Sequence, residues 1–403
     1  MTDRLYYHNS FLYEFDASVV DSLERDGRHA VVLDRTAFYP TSGGQVHDTG
    51  KLKVNGREVV VTEVVDEEDG RVLHFTDAAV APGTAVRGSV DVARRLDHVQ
   101  QHTGQHVLSA AFIKLFEMPT VSFHMGEESC TIDLQTVGVS PRQVEQAERL
   151  SNEIIAENRP VAIRFVPVAE AHTLGLRKIP PRETGDLRLI DIRDFDLCAC
   201  GGTHVQATGQ IGSILLRKIE KVKQGIRVEF VCGLRAVATA RRDYTALTEA
   251  AGLLSTHIHE LPQQIRKQQE DARATSKAQQ KLLEEIAALQ AERMLASLAT
   301  EQRVITEVFT ERDAGFVKLL AQKLTAGKKE TIALLAALAG QPTLVFAQTS
   351  AGKHNMGQLL REIVTRLGGR GGGTAELAQG GIPAGAADRA AIESLLQETA
   401  AKL

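Results

Sequence analysis

Two short stretches of this chain carry side chains that can hold a metal ion. In His102-Thr103-Gly104-Gln105-His106, two imidazoles stand four residues apart. On a helix that spacing puts both on one face, with Cβ atoms roughly 5–6 Å apart. In Cys200-Gly201-Gly202-Thr203-His204, a thiol and an imidazole flank two glycines. Glycine permits the tight turn that aims both at one point. Three imidazoles and one thiolate suit the softness of Zn2+. Cys198 competes with Cys200 as a ligand, but the four-residue spacing to His204 favours Cys200, and Cys198 reads as buried structure. His98 falls on the same helical face as His102 and His106, with Asp97 beside it. A ligand role, a role orienting an imidazole and a nucleic-acid contact are all open to it.

A third stretch is Phe38-Tyr39-Pro40-Thr41-Ser42-Gly43-Gly44-Gln45, followed by Asp48-Thr49-Gly50. Gly43 and Gly44 let backbone approach a polar ligand closely, although a plain β-turn also explains them.

These residues need elements to position them. Leu96, Val99, His102, His106, Leu108 and Phe112 recur every three or four residues, which predicts a helix over Val92–Phe116. Ser140-Pro141 opens a second helix, with serine as cap and proline at the first position. Short apolar runs at 30–33, 59–65, 71–75, 130–134, 161–166, 187–192, 211–219 and 226–232 read as strands. The fold class is therefore α+β, in four parts. Residues 1–90 form a small β-barrel or half-barrel, and 91–234 an α+β domain with an antiparallel sheet holding both metal motifs. Residues 235–300 form a charged helical arm, read as an antiparallel hairpin or imperfect coiled coil. Residues 301–403 form an α/β domain, where a helix over 358–367 runs into the glycines at 368–373.

Composition narrows the class. The 403 residues are 43% hydrophobic and 24% charged, with a net charge of −4, as in ordinary globular chains. No apolar run reaches bilayer length, and the opening Met-Thr-Asp-Arg-Leu-Tyr-Tyr has no signal-peptide core, so a cytoplasmic protein is expected, with no membrane partner. Four cysteines are too few for a disulfide framework. The acidic balance, no tryptophan and 4% aromatics argue against a base-stacking binder of single strands. Contacts to phosphate must come from patches. Arg217, Lys218, Lys221, Lys223 and Arg227 form one such cluster, and Arg370 stands within the glycine run.

Taken together, the motifs resemble the editing half of alanyl-tRNA synthetases and its free-standing AlaX-type relatives. The matching residues are Phe38 to Gln45 with Asp48 and Gly50, then the 102–106 and 200–204 motifs. Asp194-Phe195-Asp196 and Thr208-Gly209-Gln210-Ile211-Gly212 also match. The glycines at 368–373, with Ala378-Gln379-Gly380-Gly381, are similar to the C-terminal domain of those synthetases, which points to the long AlaX form. The resemblance implies one zinc ion held by His102, His106, Cys200 and His204. It implies hydrolysis of the aminoacyl ester of alanine tRNA mischarged with serine or glycine, and no alanine activation.

An alanine pocket discriminates weakly against glycine and serine, so a second site must correct the error. Thr120, Ser122 and Gln45 are the candidates for a polar partner that serine satisfies and alanine leaves unpaired. Four protein ligands make a closed tetrahedron, so a ligand is displaced, the site expands, or the ion only orients the substrate. Two copies are expected to pair through the arm or the C-terminal domain. Editing of seryl-tRNA(Thr), and a non-catalytic tRNA-binding protein with structural zinc, are the alternatives. A phosphoesterase ranks below both, since no Asp-His-His motif is present.

Overall fold

Phe15, Ala17 and Val19 alternate with exposed neighbours along Glu14–Arg25, the period-2 pattern of a strand with one wet face. This strand (β1) starts a closed six-stranded barrel with Arg28–Leu33 (β2), Gly50–Val54 (β3), Arg57–Asp66 (β4), Val72–Thr76 (β5) and Ala85–Val90 (β6). The barrel order is β1-β2-β5-β4-β3-β6, and every pairing is antiparallel. Closure leaves no free edge, and Phe15, Val31, Leu33, Phe38, Leu52, Val61 and Val64 fill the interior. The coordinates are a computed structural model that describes residues 1–171, 173–177, 184–223, 225–298, 303–350 and 352–403.

His74 sits wholly inside this barrel. Its Nδ1–H donates to the Val31 carbonyl at 3.2 Å, and its Nε2 lies 2.8 Å from the Thr36 hydroxyl. Burial pushes its pKa down from 6.5 to about 4, because the cation loses its hydration there. The unfolded chain therefore binds a proton that the folded chain refuses, and stability drains as pH falls from 6.5 to about 4. At 1.36 kcal/mol per unit, the loss reaches about 3 kcal/mol. Urea melts of the wild type should weaken across that window, and His74→Asn should flatten the dependence. Equal pH dependence in both proteins would refute this.

The helix α1 spans Val92–Phe116, capped by Asp91, which accepts from the Arg94 N–H at 3.1 Å. Every residue from His98 to Phe112 is buried, although many are polar. Most of their groups find partners, as buried polar atoms generally do. Gln100 donates to the Gln210 carbonyl at 2.9 Å, and Gln101 both donates to the Cys232 carbonyl and accepts from its N–H.

A four-stranded antiparallel sheet packs beside α1. Its strands are Thr120–Met125 (β7), Cys130–Leu134 (β8), Ile214–Val222 (β12) and Gly225–Cys232 (β13), in the order β12-β13-β8-β7. The helix Pro141–Ala156 (α2) starts at a capping box built by Ser140 and Gln143. Val161–Pro167 (β9), Asp186–Ile192 (β10) and Asp196–Ala199 (β11) make a three-stranded sheet. Val107, Leu108, Phe112, Ile132, Ile190, Val228 and Phe230 join these layers in one core. The helix Gly233–Leu253 (α3) closes this part.

The chain divides into two compact units, Met1–Glu249 and Ala250–Leu403. In the second, Ala287 and Ala291 anchor the C-terminal end of Leu261–Ala296 (α4) against Phe316 and Leu320. A five-stranded sheet follows, with Arg303–Phe309 (β14), Thr331–Ala337 (β15), Thr343–Gln348 (β16), Arg370–Gly373 (β17) and Leu377–Gly381 (β18) in the order β14-β15-β16-β18-β17. Every residue of the strand Thr331–Ala337 is buried, with Ala314–Leu324 (α5) against one side and Met356–Arg366 (α6) and Arg389–Ala400 (α7) against the other. The end expected for the helical arm, at residue 300, lies outside the described residues.

The glycine run around Arg370 belongs to this sheet. Its backbone is committed to strand pairing, since β17 pairs with β18, Arg370 opposite Gly381. A Cβ at Gly371 would fall 2.6 Å from the Gly380 Cα, so glycine is needed there for close packing.

Candidate metal centre

The structure brings His102, His106, Cys200 and His204 together, with one ligand atom from each lying within 4.8 Å of the others. The Cys200 Sγ lies 3.4 Å from both His102 Nε2 and His204 Nε2. The second nitrogen of each ring is held by a different neighbour. His102 Nδ1 donates to the Gln45 Oε1 at 2.6 Å, and His106 Nδ1 to the Asp196 Oδ2 at 3.2 Å. His204 Nδ1 lies 3.2 Å from the Thr103 hydroxyl. Rings fixed this way keep the other nitrogen as a lone-pair donor.

The electrostatics agree. Burial alone would raise the Cys200 pKa, but His102 and His204 hold it well below the ordinary thiol range. Burial drives His204 well below the ordinary imidazole value. For Asp196, His106 and Arg177 outweigh burial and keep it an anion. A thiolate and imidazoles aimed at one point are the donor set zinc takes, so these residues fit that ion.

Local sequence explains part of the convergence. Neither Gly201 nor Gly202 has a positive φ, so their value is space and not left-handed backbone. A Cβ at Gly202 would fall 2.1 Å from His102 Cε1, whereas one at Gly201 would meet nothing closer than the Tyr7 hydroxyl at 3.6 Å. Gly104 has the same kind of role, since its Cβ would fall 2.3 Å from the Cys232 Sγ. Gly43 and Gly44 do sit at positive φ, and a Cβ at Gly44 would meet the Phe123 carbonyl oxygen at 2.4 Å.

A cleft of about 460 Å³ opens over the cluster, lined in part by Gly43, Thr120, Ser122, Phe123, Arg177 and Cys200. Thr120 and Ser122 thus reach the cleft. The Thr120 hydroxyl is 2.7 Å from the Ser109 hydroxyl, and Ser122 donates to Asp133 at 2.8 Å. Gln45 does not reach it as a substrate partner. It is fully buried, donating to the Thr203 hydroxyl at 2.8 Å and accepting from the Thr203 N–H and His102. It sits behind the ligands, tying the barrel loop to both motifs.

Arg217 and Lys221 are not beside the cleft wall, whereas Arg227 pairs with Asp133, which also holds the cleft-lining Ser122. Arg217 and Lys221 lie on β12, three strand spacings from β7, about 14 Å. Arg217 is paired with Asp243, and Arg227 with Asp133 at 2.7 Å, so neither presents a free charge. Lys218 is paired with Glu220. His98 stays outside the ligand set, and its Nδ1 has no hydrogen-bond partner among the described residues. Burial pushes its pKa down to about 3. Asp97 serves Arg235 and Gln101 and no ligand. Cys198 lines the cleft without joining the four.

Sequence patterns gave no site role to several residues that build the site. Asp196, marked only as part of a matching motif, orients His106, and the Ser10 hydroxyl accepts from the His204 N–H at 3.0 Å. Arg188 donates to the Cys200 carbonyl at 2.6 Å. Arg177 forks onto Asp196. Their partners lie far away in sequence, where no local spacing marks them.

Comparison with known proteins fits this geometry. Three family descriptions match, "tRNA synthetases class II (A)" over residues 5–94, "Threonyl and Alanyl tRNA synthetase second additional domain" over 187–228, and "DHHA1 domain" over 301–402. The chain is 32% identical to the alanine–tRNA ligase of Pyrococcus furiosus and 33% identical to that of Natronomonas pharaonis, but spans only 42% of either ligase. A solved C-Ala domain of Aquifex aeolicus alanyl-tRNA synthetase is 29% identical over 24% of this chain and 90% of its own, with a TM-score of 0.21. The alanyl-tRNA editing protein AlaX-L of Pyrococcus horikoshii is 33% identical over 399 residues, 95% of both chains. With matching length, matching domains and a match running end to end, the chain belongs to the AlaX-L family of alanyl-tRNA editing proteins.

Proposed function

We propose that this protein hydrolyses the ester joining serine, or glycine, to alanine tRNA, with one zinc ion held by His102, His106, Cys200 and His204. The observation that carries the reading is a four-donor cluster lying against an open cleft. A purely structural zinc needs no cleft. When bound, the ion supplies Lewis acidity at the cleft wall. The chain's own residues supply the rest. Gln45, Asp196 and Thr103 hold the three rings in place. Gln105 donates to the Ser109 hydroxyl at 2.8 Å, and Ser109 in turn meets Thr120. That chain leaves the Thr120 hydroxyl in a fixed place on the cleft wall, where a serine hydroxyl can pair with it and an alanine methyl cannot. An unpaired buried group is worth about 1–3 kcal/mol of discrimination.

The tRNA body is the partner, with exposed Lys221 and Lys223 the basic residues of the 217–227 cluster that have no ion pair among the described residues. The four-part division at about 90, 234 and 300 belongs to the same reading. So does self-association through α4, whose Ile265, Leu282, Ile286 and Leu289 stay 40–59% exposed.

Purified protein should release serine, and glycine if it is a substrate, from charged alanine tRNA while sparing alanine, and a chelator should stop it. No release from any charged tRNA, or full activity after verified zinc removal, would end the proposal. Release of serine from threonine tRNA alone would favour the alternative substrate. The description covering 187–228 names both synthetases, and the end-to-end match favours alanine.

A further inference from the structure

We propose that Arg177 is a catalytic residue that donates a hydrogen bond to the carbonyl oxygen of the scissile ester, an assignment that rests on the deacylase reading above. Arg177 lines the cleft beside His106 and Cys200. Its Nε donates to Asp196 Oδ1 at 2.9 Å and its Nη2 to Asp196 Oδ2 at 3.1 Å. This fork uses one edge of the guanidinium and leaves Nη1, which has no recorded partner among the described residues. The Arg177 side chain keeps 16% of its surface exposed, and the cleft is the open space that it borders. Among the described residues no other lysine or arginine lines that cleft.

The reaction calls for such a donor. Water adds to the ester carbon, and the carbonyl electron pair moves onto its oxygen. When the pair returns, the bond to the ribose oxygen breaks and that oxygen takes a proton from the water. Negative charge thus gathers on the carbonyl oxygen, and a fixed N–H helps most where charge develops. Arginine suits the task because its guanidinium stays protonated even when most of it is buried. Asp196 holds it in place beforehand, so little reorganisation is needed. The same carboxylate orients His106, which sets the donor and the ligand cluster in one frame.

The test compares the wild type with Arg177→Gln and Arg177→Lys. It measures zinc per chain and the kcat and KM for seryl-tRNA(Ala) and for serine esterified to plain adenosine, which has no phosphate. Arg177→Gln should keep its zinc and its KM while kcat falls about 10²–10³-fold on both substrates. Arg177→Lys should keep zinc and recover part of the rate, and it carries the test if Arg177→Gln does not fold. Zinc lost together with activity would overturn the assignment, leaving Arg177 a support for Asp196 and His106. A raised KM confined to the tRNA substrate would also overturn it, in favour of a phosphate contact. A wild-type protein inactive on both substrates would instead sink the deacylase reading itself.

Discussion

Gly202→Ala is expected to strip the cluster of its metal, while Gly201→Ala, one residue earlier, is expected to leave it loaded. The difference is space. A methyl at 202 would lie 2.1 Å from His102 Cε1 and 2.4 Å from Nδ1. His102 cannot swing aside without losing its bond to Gln45, and Gln45 is itself fixed to Thr203. A methyl at 201 meets only the Tyr7 ring edge and hydroxyl, at 3.6–3.8 Å, and neither position has a positive φ. Loss of one partner that merely orients a ligand already weakens metal binding about 10–100-fold, and eviction of the ligand should exceed that. Zinc per chain after dialysis, with deacylation measured alongside, reads the result. Equal zinc retention by the two variants would show that His102 is not held against the 202 backbone.

Asp48→Ala is expected to destabilise the first unit by about 3–5 kcal/mol, the usual loss when one partner of a buried ion pair is removed. Arg95 and Asp48 are both fully buried. Arg95 donates to both Asp48 oxygens and to the carbonyls of Ser10, at 2.7 Å, and Ala37, at 2.5 Å. Asp48 also accepts from the Tyr39 N–H at 2.7 Å. This network joins the start of α1 to the barrel loop that delivers Gln45. Without the carboxylate, a guanidinium stays buried with two carbonyls and no counter-charge. Replacing both residues, as in Asp48→Ala with Arg95→Met, should recover much of the loss, because the stranded charge goes with its partner. Urea melts of the three proteins check this. A single variant as stable as the wild type would mean that water enters the site.

How much could be read beforehand depended on the range of the interactions. The helix Val92–Phe116 was legible because its periodicity is local and continuous. So was the cap at Ser140. The strand Glu14–Arg25 was overlooked although Phe15, Ala17 and Val19 alternate in it. The strand Arg370–Gly373 was not legible because glycines carry no side-chain alternation, even though its partner strand follows at once along the chain. The basic run at 217–227 suggested a phosphate-binding patch beside the site. Two of its arginines are instead spoken for by Asp243 and Asp133, a fact no run of charges reveals.

By itself the sequence determined the types of donor and their spacing, four residues apart in each motif, because helical period and chain connectivity act over a few residues. It also determined the family, since matched motifs run the length of the chain. Only the tertiary structure decided which groups stand behind those donors. Gln45 reaches His102 across 57 positions, Asp196 reaches His106 across 90, and Thr103 reaches His204 across 101. The same is true of the cleft and of Arg177 on its wall. Such contacts arise from how a barrel, a buried helix and two sheets pack, and packing between distant segments leaves no periodic trace along the chain.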